Sequence, residues 1–479
     1  MGKNISFYKY KKFVSLMLSV IVFASFFAAG KITALADTDY EAEMEERKTL
    51  EIQSNNIEGW PTGPSIGAEA AILVEANTGT ILYAKNIDEE LYPASTTKIM
   101  TCLLAAENGN LSDMVTFSYD AVHSVPSDGS NIGIDAGESM TLEECMYGVM
   151  VGSANECANA VAEHIGGSID DFVDMMNAKV EELGLSHTHF VNSNGLFDEN
   201  HYTSAYDLAM IACEFFDNDI LLTIGNTARY HFVATSTQPD DFYINNKHKL
   251  INGEIEYEGI LGGKTGYTDE ARNTLVTCAE QGGMKLVCVI LKEESPYQFT
   301  DTATLFDYGF NNFSKVSLSS DTDLFTVDSN TIFTSGSDIF GLGEDVITID
   351  DNSFVILPSS ASIEDCDYSI SYDDDSNGAV ITFTYNGQVV GSSTLIFGEN
   401  DEKTESFENI IYINVIYVIA ILIIFIIVTG IISKIAGVFL QTRYLEDDPK
   451  RRMQFRRRKK TVKKRRMSFN KKKRRNKRR

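Results

Sequence analysis

The chain has little with which to bind a metal. Its seven cysteines (102, 145, 157, 213, 278, 288 and 366) lack the short paired spacings of a zinc site, and their number is odd. Several lie inside apolar stretches, so they read as buried free thiols rather than as a disulfide framework. Nor do the seven histidines show a zinc pattern. His187-Thr188-His189 lacks the acidic or cysteine partners that a catalytic zinc needs. No metal and no cofactor is implied. Basic residues are scarce over most of the length as well. Residues 37–433 hold 14 Lys+Arg against 65 Asp+Glu, whereas residues 443–479 hold 21 against 3. An acidic bulk with a basic end indicates two different environments.

What is present falls into blocks. Residues 1–36 read as a secretory signal: Lys3, Lys9, Lys11 and Lys12 precede an apolar run from Phe13 to Ala29, and Ala34-Leu35-Ala36 is a small-x-small cleavage site. Cleavage after Ala36 is expected, the apolar run being short for a span. Residues 37–58 are acidic and polar and read as a linker. From Ala70 to Asn86, two β-rich runs flank Asn77-Thr78-Gly79 as in a hairpin. Leu142–Ile165 and Ile169–Leu183 have helical apolar spacing. Leu275–Leu291 is a second strand pair, turning at Gly282-Gly283, and Asp301–Phe310 reads as a closing helix. Strands at both ends with helices between predict an α+β catalytic domain over 59–314, a mostly antiparallel sheet covered by helices.

From Lys315 the composition shifts to Ser, Asp and short β-prone runs at Phe325–Val327, Val346–Ile349, Phe354–Leu357, Ser369–Tyr372, Ala379–Tyr385 and Gln388–Phe397, with a hairpin turn at Asn386-Gly387. Residues 315–400 are expected to form a small all-β domain, a spacer or docking module with no catalytic constellation. A linker at 401–409 follows. Ile410–Ile432 is 23 residues long and carries no charge. As a helix it reaches about 34 Å, enough for a bilayer core. The basic tail, 433–479, then places the C-terminus in the cytoplasm and everything between leader and span outside it. Topology and contact with anionic lipid account for the tail without nucleic acid.

The chemistry centres on Pro93-Ala94-Ser95-Thr96-Thr97-Lys98. A serine and a lysine three apart share one face if the run is helical. Pro93 and the hydroxyl cluster are helix-start residues, so Ser95 would sit at the positive end of the helix. A desolvated lysine can take the proton that makes a serine nucleophilic. Alone, Ser-x-x-Lys is as readily an ordinary capped helix. Its partners change that. Ser153-Ala154-Asn155 follows 58 residues on from Ser95, and Lys264-Thr265-Gly266 a further 111 on from Ser153. Ser-x-x-Lys, Ser-x-Asn and Lys-Thr-Gly in that order form the signature of penicillin-reactive serine enzymes.

The stretches YPASTTKIMT, GVMVGSANECANAVAEHI, FVNSNGLFDENHYTSAYDLA and GGKTGYTDEA resemble the serine-type D-Ala-D-Ala carboxypeptidases, the low-molecular-mass penicillin-binding proteins, from about Ala68 to Phe313. The resemblance implies a β-lactamase/transpeptidase-like fold and, as partners, a peptidoglycan stem peptide ending in D-Ala-D-Ala and β-lactam inhibitors. It implies Ser95 as nucleophile, Lys98 as base, Ser153 as proton relay and Asn155 as a hold on Lys98 and the substrate amide. Lys264 would supply positive potential, Thr265 would bond the terminal carboxylate, and Gly262, Gly263 and Gly266 would let a peptide lie close to the strand. The N–H groups of Ser95 and Tyr267 would form the oxyanion hole.

Three positions depart from the family pattern. Counting eleven residues back from Gly309, where members carry a carboxylate-binding arginine, gives Gln298. Ala271-Arg272 replaces the common Ala-Gly, and Tyr206 replaces an arginine. Two other readings share the trio. A class A β-lactamase needs a Glu-x-x-Leu-Asn loop, and none stands between 156 and 263. A non-catalytic wall-binding scaffold would not need all six of Ser95, Lys98, Ser153, Asn155, Lys264 and Thr265.

Overall fold

The computed structural model describes residues 40–318, 347–349, 352–373, 378–397, 428–435, 453 and 457–463. The leader expected at 1–36, the linker at 401–409, most of the span at 410–432 and most of the tail lie outside these residues, as does the run Phe325–Val327. Among the described residues no helix is long and apolar enough to cross a membrane.

The expectation of a linker over 37–58 is corrected at once. Tyr40–Arg47 forms a helix, α1, with Met44 and Arg47 buried. Acidic composition concealed it, because its buried residues are one methionine and one arginine. Next come β1 (Ala70–Glu75) and β2 (Ile81–Lys85), joined by a turn in which the Glu75 carboxylate accepts hydrogen bonds from the Asn77 and Thr78 N–H groups. Helix α2 (Lys98–Asn108) follows a 3₁₀ turn at Ala94–Thr97. The long helix expected over Leu142–Ile165 is interrupted. Leu142–Tyr147 is helical, Gly148–Gly152 makes a π turn, Ser153 is left-handed, and α3 starts afresh over Asn155–Gly166. Helices α4 (Ile169–Glu182) and α5 (Ala205–Asp217) are N-capped by the Ser168 and Ser204 hydroxyls. The chain then makes β3 (Ile260–Thr268), β4 (Arg272–Gln281) and β5 (Met284–Glu293), and closes on α6 (Tyr297–Asn312).

The five strands form one sheet in the order β2-β1-β5-β4-β3, antiparallel at every pairing. The fold is therefore α+β, and the first and last strand pairs meet at its centre as their apolar runs predict. Strand β1 is buried along its whole length because both faces of the sheet are covered. Ala70, Ile72 and Val74 join a core with α2, α3 and α5. Ala71 and Leu73 face the other way, toward Phe299, Leu305 and Phe306 of α6.

After α6, β6 (Phe313–Ser317), β7 (Ile347–Ile349), β8 (Phe354–Pro358), β9 (Asp367–Asp373), β10 (Gly378–Tyr385) and β11 (Gln388–Phe397) form two antiparallel sheets, β6-β8 and β7-β11-β10-β9. The Asn386-Gly387 turn has both φ angles positive, 48° and 87°, which matches the twist of a tight hairpin. Phe354–Leu357, Ile381, Phe383 and Val390 share one apolar cluster with the α6 face of the large sheet. Trp60 sits at the join. Its indole donates to the Leu82 carbonyl at 2.9 Å, and its ring lies 5.1 Å from Phe313 and 6.2 Å from Tyr385.

Trp60 is the chain's one tryptophan and is 7% exposed, so its emission reports this join. Replacing fully buried Phe306 with Ala is expected to cost about 3–5 kcal/mol. The denaturant midpoint of the Trp60 red-shift should fall accordingly. An unchanged midpoint would mean that α6 is not packed on the sheet as described.

Candidate active site

Ser95 lies in the 3₁₀ turn that opens α2. The turn is tied by its own hydroxyls: Thr96 donates to Pro93 O at 2.7 Å and Thr97 to Ala94 O at 2.8 Å. The Thr97 hydroxyl also meets His201 Nε2 at 2.8 Å, while Val191 N–H donates to His201 Nδ1. With Thr97 already donating, the pattern puts the ring proton on Nε2. Burial pushes the His201 pKa down to about 3, in keeping with a neutral structural ring.

One turn on, Lys98 is fully buried. Its Nζ lies 3.0 Å from Ser95 Oγ and 2.7 Å from Asn155 Oδ1, and it also donates to the Asn194 carbonyl. Burial, and then the neighbouring Lys264, hold its pKa well below the usual lysine value. A neutral amine has two N–H bonds and one lone pair. The two carbonyl oxygens can accept only those N–H bonds, which leaves the lone pair for the proton of Ser95. The Asn194 carbonyl is the part of this arrangement that residue patterns missed. Its loop is placed by Gly195 (φ 82°), where a Cβ would lie 1.9 Å from Ala94 O.

The broken helix explains Ser-x-Asn. The π turn and the left-handed Ser153 (φ 59°) end one helix and start the next within three residues. Ser153 and Asn155 thereby meet different lysines. Lys264 Nζ lies 3.0 Å from Ser153 Oγ and donates to Thr265 O at 2.7 Å. Burial, and then the Lys247 charge, lower the Lys264 pKa to about 7. Lys247 itself bonds Ser130 Oγ at 2.9 Å, and Ser130 O accepts from Asn155 N. Buried Glu156 accepts from the N–H groups of Ile132 and Gly133 and so secures the same loop. Neither Lys247 nor Glu156 carried a motif signal.

Strand β3 crosses the nucleophile at Gly266. A Cβ there would lie 2.9 Å from Ser95 N and 2.3 Å from Thr274 Oγ1, and Thr274 donates to Pro93 O at 2.8 Å. Only glycine lets strand and turn approach this closely. Tyr267, next along, keeps its side chain half exposed, with its hydroxyl bonded to Asp269. Thus Ser95, Lys98, Ser153, Asn155, Lys264, Thr265 and Gly266 converge, with Tyr267 at the rim.

The departures also have places. Gln298 is buried, its Nε2 3.4 Å from Asn273 Oδ1, and its Oε1 has no protein partner. Arg272 does not stand free to replace a missing arginine. Its Nε and Nη2 engage both oxygens of Glu294, at 3.2 and 2.7 Å.

A family model described as D-alanyl-D-alanine carboxypeptidase matches residues 58–295. A D-alanyl-D-alanine carboxypeptidase of Bacillus subtilis is 38% identical over 252 residues, covering 51% of this chain and 63% of its own. The match thus spans less than two thirds of that relative. One from Mycobacterium tuberculosis is 31% identical over 52% of this chain and 84% of its own, and one from a Streptomyces species is 32% identical over 52% and 89%. With two such relatives matched over most of their length, and with the three motifs gathered around one buried lysine pair, the chain belongs to the D-alanyl-D-alanine carboxypeptidase family.

Proposed function

We propose that the protein is a serine D-Ala-D-Ala carboxypeptidase that removes the terminal D-alanine from peptidoglycan stem pentapeptides and is acylated by β-lactams at Ser95. The observation that carries this reading is the Lys98 amine, buried and held by two carbonyl oxygens beside Ser95 Oγ. Ser95 attacks the carbonyl of the penultimate D-alanine as Lys98 takes its proton. The oxyanion develops at the Ser95 and Tyr267 N–H groups, where Gly266 admits the strand. The proton returns through Ser153 to the leaving nitrogen, the C–N bond breaks, and D-alanine departs. Water, deprotonated by Lys98, then attacks the acyl-enzyme and releases the shortened peptide. Asn155 orients Lys98 and the substrate amide. Thr265 bonds the terminal carboxylate.

With Gln298 neutral and Arg272 tied to Glu294, Lys264 is left as the charge opposite that carboxylate. This supports weaker carboxylate binding than a bidentate arginine gives. Residues 315–400 would serve as a small all-β spacer. The uncharged run 410–432 would anchor the protein in the cell membrane, with a leader cleaved after Ala36, the catalytic domain outside and the basic tail in the cytoplasm.

D-alanine release from a pentapeptide ending in D-Ala-D-Ala should be abolished by Ser95→Ala, a loss of about 10⁴-fold or more. The variant should also fail to retain labelled penicillin. Release at the parental rate would remove Ser95 as nucleophile.

Acylation should show a pH profile governed by the two lysines. Lys98 must be neutral to act, so the rate falls as pH drops through its lowered pKa. Lys264 works as a cation, so binding weakens as pH rises past about 7. The nearby Lys247 charge lowers both values. Lys247→Gln should therefore move both limbs to higher pH, measured as labelled-penicillin acylation against pH. A shift to lower pH would contradict this electrostatic arrangement.

A further inference from the structure

Helix α1 lies outside the residues that the family model matches, which begin at 58. Yet it contacts Arg272, which opens β4, the strand paired with the one that carries Lys-Thr-Gly. Arg272 opens β4 in the left-handed region at φ 54°, a conformation that suits glycine and strains a long side chain. Contacts on every side of its guanidinium offset that strain. The Glu294 carboxylate takes two of its N–H bonds, and Nη1 donates to the Tyr267 hydroxyl at 3.3 Å. The Tyr40 ring of α1 covers its face at 3.7 Å.

The other end of α1 reaches the same carboxylate. Arg47 Nη2 lies 3.3 Å from Glu294 Oε1, and its Nε donates to Gly67 O at 2.9 Å. Lys85 closes the helix by donating to Arg47 O at 2.8 Å and to Ile66 O at 2.8 Å. Met44 is 1% exposed. Tyr40 and Arg47 thus grip one arginine–carboxylate pair. That pair joins the β3–β4 turn to the end of β5. Four residues separate Arg272 from Tyr267, which follows the glycine that touches Ser95 N.

We propose that α1 is a positioning element of the active site. By clamping Arg272 between Tyr40 and Glu294, it holds the β3–β4 turn, and with it the Tyr267 main chain, against Ser95. The proposal deepens the carboxypeptidase reading and rests on it for its kinetic effect. Arg272 is the hinge of this brace, and a glycine there needs no brace.

The test uses the full chain with Tyr40→Ala and Arg47→Met combined, in the parental and Arg272→Gly backgrounds. In the parental background the pair should reduce the efficiency of penicillin acylation and of D-alanine release by about tenfold or more, as kcat rather than KM for the peptide, because the Tyr267 N–H acts on the developing oxyanion. Amide exchange over 264–273 should accelerate while exchange in α2 stays as in the parent. Tyr40→Phe and Arg47→Lys should restore most of the loss. In the Arg272→Gly background the same pair should change little, because coupled residues are non-additive. Equal losses in both backgrounds, or unchanged exchange over 264–273, would overturn the brace. So would a loss that tracks a general fall in Tm with exchange rising throughout. A parent that releases no D-alanine would overturn the reaction reading alone, and the exchange data would still decide the role of α1.

Discussion

Two lysines buried in one cleft set the terms for the rest of the structure. An ammonium group loses its hydration on burial, and a second one beside it makes the first harder to keep charged. Lys98 and Lys264 are both buried, and after burial itself the Lys264 charge is what lowers the Lys98 pKa. The fold answers by giving them different companions. Lys98 has carbonyl oxygens that suit a neutral amine. Lys264 has a hydroxyl and a carbonyl, and after burial the Lys247 charge is what lowers its pKa. The left-handed Ser153 is what makes the separation possible. An unbroken helix through 148–155 would give Ser153 and Asn155 the angular relation of a helix rather than these two partners.

The sheet was legible because its signals are local. Two apolar runs around Asn77-Thr78-Gly79 and two around Gly282-Gly283 each close a hairpin, and burial on both faces makes the runs continuous. The hairpin at Asn386-Gly387 was legible for the same reason. The interruption at 148–153 was not, since apolar spacing continues through it. A π turn changes backbone geometry without changing residue type.

Within the site, the residues that could be read ahead are those whose side-chain chemistry is irreplaceable: Ser95, Lys98, Ser153, Asn155, Lys264. The Asn194 carbonyl is a backbone atom, and any residue type supplies one. Arg272 stood out as an arginine where glycine is common, but its partner Glu294 is 22 residues on and its cover, Tyr40, comes from a stretch whose acidity suggested a linker. Those contacts depend on tertiary placement, which no window of sequence contains.

Gly195 and Gly266 have a consequence for how such a site can diversify. The space around Ser95 is walled at these points by main chain. A single added methyl group would collide with Ala94 O at one and crowd Ser95 N at the other. No substitution there can widen or narrow the cleft by degrees. Gradual change in the shape of this cleft is open instead to side chains at the rim, such as Tyr267, which faces solvent. The inner wall is set by backbone, and only the edge is set by side chains.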